Sequence, residues 1–121
     1  MTMTVMTEAA TRWEPICRFD RLEAERGVAA LIDGVQIAIF RTFDGELFAI
    51  ANRDPVSGAQ VMSRGIVGSR ADAPTVASPL HKQVYDLRTG ECLDTPNVRV
   101  TTYPVRRHGD TVEVGLFEAD R

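Results

Sequence analysis

Short runs of alternating apolar and polar residues, separated by turn pairs that contain glycine, dominate the chain. This is the two-residue period of half-buried β-strands. Residues 13–17 read as a first strand. Residues 27–33 and 35–42 flank Asp33-Gly34, a pair that tolerates the positive φ a type I′ hairpin turn needs. Asp44-Gly45 then leads into residues 46–50 and completes a three-strand meander. In its middle strand Val35, Ile37 and Ile39 share one face, and Ala38 and Phe40 share the other. A strand apolar on both faces predicts a central, doubly covered position. Near the far end, residues 101–107 and 111–117 flank His108-Gly109-Asp110 as a second hairpin. Its return strand alternates Val112, Val114 and Leu116 with Glu113 and Gly115, so one face is buried and the other wet. Residues 21–26 admit a short helix or a turn.

Residues 52–96 break this rhythm. They hold Gly58, Gly65 and Gly68 and two X-Pro bonds, at Pro55 and Pro79, with short strand candidates only at 75–77 and 83–87. So long a stretch without regular structure is unusual unless functional. The expected class is all-β: a two-sheet β-sandwich that carries a small loop-bearing subdomain at 52–96. The domain is expected to span 13–118, between tails at 1–12 and 119–121.

Composition narrows the possibilities. The 121 residues suit one domain, and 44% hydrophobic with 26% charged residues is ordinary for a globular chain. A core of this size needs neither disulfide nor metal. The net charge of −3 gives no footing for nucleic acid. No apolar run nears the ~20 residues of a membrane helix. Met1-Thr2-Met3-Thr4-Val5-Met6-Thr7-Glu8 lacks a basic region followed by an apolar run, so a cytoplasmic protein with a frayed N-terminal tail is expected. Cys17 and Cys92 lack CxxC spacing, and His81 and His108 are the only histidines. The cysteines are expected as small apolar thiols in a reducing compartment, with a disulfide between them as the alternative.

Candidate chemistry gathers in two stretches, Asp54-Pro55-Val56-Ser57-Gly58-Ala59 and Ser78-Pro79-Leu80-His81-Lys82-Gln83. The second continues into Val84-Tyr85-Asp86-Leu87-Arg88-Thr89-Gly90-Glu91-Cys92-Leu93. Together they resemble the two loops of a Rieske iron–sulfur domain, Cys-x-His and Cys-x-x-His. A Rieske cluster takes two thiolates on one iron and two imidazoles on the other. The four matching positions here hold Asp54, Val56, Ser78 and His81. Val56 offers no electron pair, and hard oxygens replace soft thiolates poorly.

A closer resemblance is carried by Asp54-Pro55-x-Ser57-Gly58-Ala59, Val61-x-Ser63-Arg64-Gly65-Ile66-Val67-Gly68 and Val76-Ala77-Ser78-Pro79-Leu80-x-Lys82-Gln83. It is to the small subunit of assimilatory NAD(P)H-dependent nitrite reductase, a Rieske-like fold without cluster ligands. The resemblance implies a cytoplasmic, non-redox accessory chain with no cofactor of its own. It also implies a large-subunit partner carrying flavin, an iron–sulfur cluster and sirohaem, which reduces nitrite to ammonium. A stand-alone Rieske-type ferredoxin is the alternative.

If the loops meet, Asp54, Pro55, Val56, Ser57, Arg64, Ser78, Leu80, His81 and Lys82 form a candidate partner interface, with Val56 and Leu80 as an apolar spot inside a charged rim. Other chemistries fit less well. Asp54 and His81 alone make a weak metal site. Asp54, Ser78 and His81 supply the residues of a hydrolytic triad, but Pro79 removes the oxyanion N–H that would follow the nucleophile. Turn-closing hydrogen bonds from Asp and Ser are the simpler expectation. Residues 63–70 could bind an anion through two arginines but lack a P-loop ending. Arg106, Arg107 and His108 form a basic hairpin tip, either solvated or a docking contact.

Overall fold

A computed structural model of the chain describes residues 12–116. Ten strands follow in order: β1 (Arg12–Arg18), β2 (Arg26–Ile32), β3 (Val35–Arg41), β4 (Leu47–Ala51), β5 (Ile66–Arg70), β6 (Ala73–Ala77), β7 (Val84–Asp86), β8 (Thr102–Tyr103), β9 (Val105–His108) and β10 (Thr111–Leu116). They form three antiparallel sheets, β1-β10-β9, β2-β3-β4-β8 and β5-β6-β7. The all-β expectation holds. Among the described residues the only helical turns are 3₁₀, at Phe19–Arg21 and Met62–Arg64.

β3 lies between β2 and β4, as its two apolar faces require. Ile37 and Ile39 join Leu22, Ile32, Ala49, Val112, Val114 and Leu116 in a core between the first two sheets. Ala38 and Phe40 face the opposite way, into a second core with Ile50, Met62, Val76, Tyr85, Leu87 and Val100. That second core binds the third sheet to the scaffold. Burying each large side chain contributes roughly 1.5–3 kcal/mol, so β3 stabilises both layers at once.

The turns follow their residue types. Asp33 and Gly34 adopt φ of 52° and 83°, the I′ geometry their pairing predicts. Gly90 sits at φ +84°, where an added Cβ would lie 2.1 Å from the Val100 carbonyl oxygen.

Two expectations need correction. The span 101–107 is not one strand. It breaks at Pro104, which has no N–H to extend a ladder, so β8 pairs with β4 while β9 pairs with β10. The segment 63–70 is not an anion loop. Its second half is strand β5, and Arg70 pairs with Asp94 at 3.1 Å. At 21–26, where a short helix or a turn was open, the turn forms: the 3₁₀ turn ends at Arg21 and β2 begins at Arg26. The first strand pairs with the last, through a bulge between Pro15 and Cys17. Cys17 and Cys92 are free thiols, packed against different cores.

Candidate functional site

The third sheet and the end of β4 present two loops, 54–59 and 78–83, built to one plan. In the first, Asp54 N–H donates to the Ala59 carbonyl at 2.8 Å and Gly58 N–H to the Asp54 carbonyl at 2.7 Å. In the second, Ser78 N–H donates to the Gln83 carbonyl at 2.9 Å and Lys82 N–H to the Ser78 carbonyl at 3.0 Å. Each loop has proline at its second position, Pro55 and Pro79. Each turns through positive φ at its fifth, +83° at Gly58 and +62° at Lys82. A third copy of the pattern closes 86–91, where Asp86 N–H donates to the Glu91 carbonyl and Gly90 N–H to the Asp86 carbonyl.

The first residue of each tip loop points inward. Asp54 is fully buried and Ser78 is 1% exposed. Ser78 Oγ donates to Asp54 Oδ2 at 2.5 Å and ties the loops together. Asp54 Oδ1 accepts from the N–H groups of Val56 at 2.8 Å and Ser57 at 3.3 Å. Ser78 Oγ accepts from Leu80 N–H at 3.3 Å. Burial alone would raise the Asp54 pKa. The bonds from Ser78, Val56 and Ser57, with the nearby His81, outweigh it and hold the carboxyl below its usual range.

Asn52 sets the first loop on the scaffold. Its buried amide donates to Gln36 Oε1 at 3.0 Å and accepts from Ser63 N–H at 2.7 Å. Sequence reasoning missed this anchor; an Asn opening a Pro- and Gly-containing loop was the available signal. Tyr85 packs beneath the second loop, fully buried, and its hydroxyl has no hydrogen-bond partner among the described residues. Burial first, then the charge of Asp54 and Cys92, pushes its pKa up to about 12.

The expected interface residues therefore divide into two groups. Val56, Ser57, Leu80, His81 and Lys82 are exposed and Pro55 is half-buried, whereas Asp54 and Ser78 are interior struts. Val56 and Leu80, the third residues of the twin loops, stand 45% and 50% exposed. Arg64 is also exposed, but it lines a separate groove with Gly27 and Ile66 that no residue of either tip loop borders.

Several chemistries can now be judged. Ser78 gives its proton directly to Asp54, with no imidazole between them, so the triad geometry is not assembled. A Rieske cluster does not fit these four positions: the oxygens of Asp54 and Ser78 are spent on each other, Val56 has no donor, and His81 remains alone. Among the described residues, no group of three His, Cys, Asp or Glu side chains could hold a metal ion. The basic hairpin is largely committed to packing: Arg106 lies 4.0 Å over the Trp13 ring and pairs with Glu113, and Arg107 lies 4.0 Å over Phe19.

Comparison with known proteins fits this architecture. Residues 12–115 match the family described as Rieske-like [2Fe-2S] domain. The nitrite reductase (NADH) small subunit of Escherichia coli (strain K12) is 36% identical over 105 residues, covering 86% of this chain and 97% of that protein. A 103-residue part of the nitrite reductase [NAD(P)H] large subunit of Klebsiella oxytoca is 38% identical, covering 85% of this chain and 11% of that one. A solved Mycobacterium tuberculosis structure, assigned as an NADH-dependent nitrite reductase small subunit, gives a TM-score of 0.83 at 47% identity, covering 85% of this chain and 93% of that one.

Proposed function

The chain belongs to the Rieske-like domain family, in its nitrite reductase small-subunit branch, and on that premise we propose that it is the non-redox accessory subunit of a cytoplasmic NAD(P)H-dependent nitrite reductase. It holds no cluster of its own and supports a large subunit in reducing nitrite to ammonium. The large subunit carries the flavin, iron–sulfur cluster and sirohaem. The small chain docks through the paired tip loops, with Val56 and Leu80 at the centre and His81 and Lys82 at the rim. Asp54 and Ser78 act from within by holding the two loops in register.

The observation that carries this reading is Lys82. It occupies φ +62° at the position where the sister loop uses Gly58. A side chain in left-handed backbone costs about 1 kcal/mol or more relative to glycine. Lys82 is exposed, and among the described residues its ammonium makes no ion pair that offsets this strain. A contact outside the chain supplies one, and strain of this kind concentrates at functional sites.

The test is co-expression with the large subunit. Lys82→Gly is expected to stabilise the isolated small chain by about 1 kcal/mol while weakening association. Val56→Asp is expected to weaken association at nearly unchanged stability. Tight, fully active complex from both variants would refute docking through the tip.

A further inference from the structure

Among the described residues the three sheets end in six edge strands, and five of these are blunted or covered, β7 by its pairing with residues 92–93. β1 carries Pro15 and a bulge, β9 carries Arg106 and Arg107, and β5 carries Gly68 and Arg70. β7 and β8 have three and two residues. β2 is different. It runs seven residues along one edge of the four-stranded sheet, and after Arg26 and Gly27 at its start the five-residue run Val28-Ala29-Ala30-Leu31-Ile32 contains no charge, no glycine, no proline and no bulge. Natural sheets rarely leave such an edge bare, because its outward N–H and C=O groups invite pairing with another chain. Among the described residues, residues 27–32 make backbone hydrogen bonds only in the ladder with β3.

The side chains beside this edge are apolar and exposed. Leu31 is 70% exposed and Val28 37%. An open groove of about 540 Å³ runs between β2 and the bulged β1, with Ile16 and Leu22 among its walls. At the other end of β2, Arg26 and Gly27 border a second groove with Arg64 and the 74% exposed Ile66. Grooves thus flank both ends of the strand, and no tip-loop residue lines either of them.

Resting on the accessory-subunit reading above, we propose that the β2 edge is a second docking site, which takes an extended, apolar-alternating segment of the large subunit as an added strand. The mode is strand addition: main-chain bonds supply affinity and the flanking grooves take alternate side chains. Size argues for this occupant over a second copy of the small chain. Two edges of about 23 Å laid side by side cover a narrow strip, below the roughly 1,200 Å² that free stable dimers bury. A strand already held nearby by another contact needs far less area, because its effective concentration is high. The tip supplies that second contact when the chains are separate. In the Klebsiella oxytoca large subunit, where the matching segment is part of the same polypeptide, covalent linkage supplies it.

Hydrogen exchange read by mass spectrometry, on the free small chain and on its complex with the large subunit, tests this. The outward amides of residues 27–32 should exchange at least tenfold more slowly in the complex. Val28→Glu with Leu31→Glu should weaken capture of the large subunit at least tenfold while the tip loops keep their protection. A complex with unchanged β2 exchange overturns this proposal alone. A free small chain that runs as a dimer with β2 already protected assigns the edge to a second copy and also overturns it. Failure of the wild-type chain to bind the large subunit at all removes both this inference and the reading beneath it.

Discussion

Removing the Ser78 hydroxyl should loosen the tip by a calculable amount. In Ser78→Ala, Asp54 Oδ2 stays buried without its donor, while Oδ1 keeps the N–H groups of Val56 and Ser57. A hydrogen bond to a charged group contributes roughly 1.5–3 kcal/mol, so the loss should be about 2 kcal/mol. Asp54→Ala strands the buried Ser78 hydroxyl and both loop amides, although Val56 and Ser57 are exposed enough for water to reach them. Its cost should be about 3 kcal/mol. At an unfolding entropy of about 2.1 cal/mol/K per residue, 121 residues shift Tm by about 4 °C per kcal/mol. The two variants should therefore melt about 8 and about 12 °C below wild type. The double variant should cost no more than Asp54→Ala alone, giving a coupling near 2 kcal/mol. Acid supplies an independent check. Because Asp54 titrates below its usual range in the fold, its contribution is complete above the unfolded carboxyl value of about 3.9 and is lost as pH falls through the folded value. The stability gap between wild type and Asp54→Ala should narrow as pH falls below about 4. Urea melts in which the two single costs add to within about 0.5 kcal/mol, or a gap that ignores pH, would refute the view that this bond couples the loops.

Two further outcomes are expected from thermal melts. Gly90→Ala places a methyl group against the Val100 carbonyl at φ +84° and should cost at least about 3 kcal/mol, whereas Gly34→Ala, with φ +83° and nothing within 4 Å, should cost only about 1 kcal/mol. Similar losses at both positions would remove the steric distinction. Tyr85→Phe deletes a buried hydroxyl that has no partner among the described residues and keeps the ring in its core, so stability should be unchanged or rise by up to about 1 kcal/mol; a measurable loss would reveal a partner for the hydroxyl.

Local pattern carried much of the fold. The two-faced apolar run of β3 and the Asp33-Gly34 turn were both readable because each reflects interactions within a few residues. Non-local facts were hidden. Nothing near Trp13 announces that β1 pairs with β10, and Gly65 and Gly68 disguised β5 as a loop. Pro104 was visible, but its consequence, a change of sheet within two residues, depends on where β4 and β10 lie. At the tip, the resemblance to the two Rieske loops located Asp54, Val56, Ser78 and His81. The inward turn of Asp54 and Ser78 could not be read, because polar residues beside proline ordinarily face water. The left-handed backbone of Lys82 was equally invisible, since lysine gives no hint of it.

The bond ladder between β1 and β10 places Arg12 directly opposite Leu116. A polypeptide that enters this module and one that leaves it therefore do so side by side. Such a unit can be spliced into a longer protein as a pendant, with its interior untouched and little length spent on connectors. A 103-residue tract like this chain, housed in the far longer Klebsiella oxytoca polypeptide, is the arrangement this geometry permits.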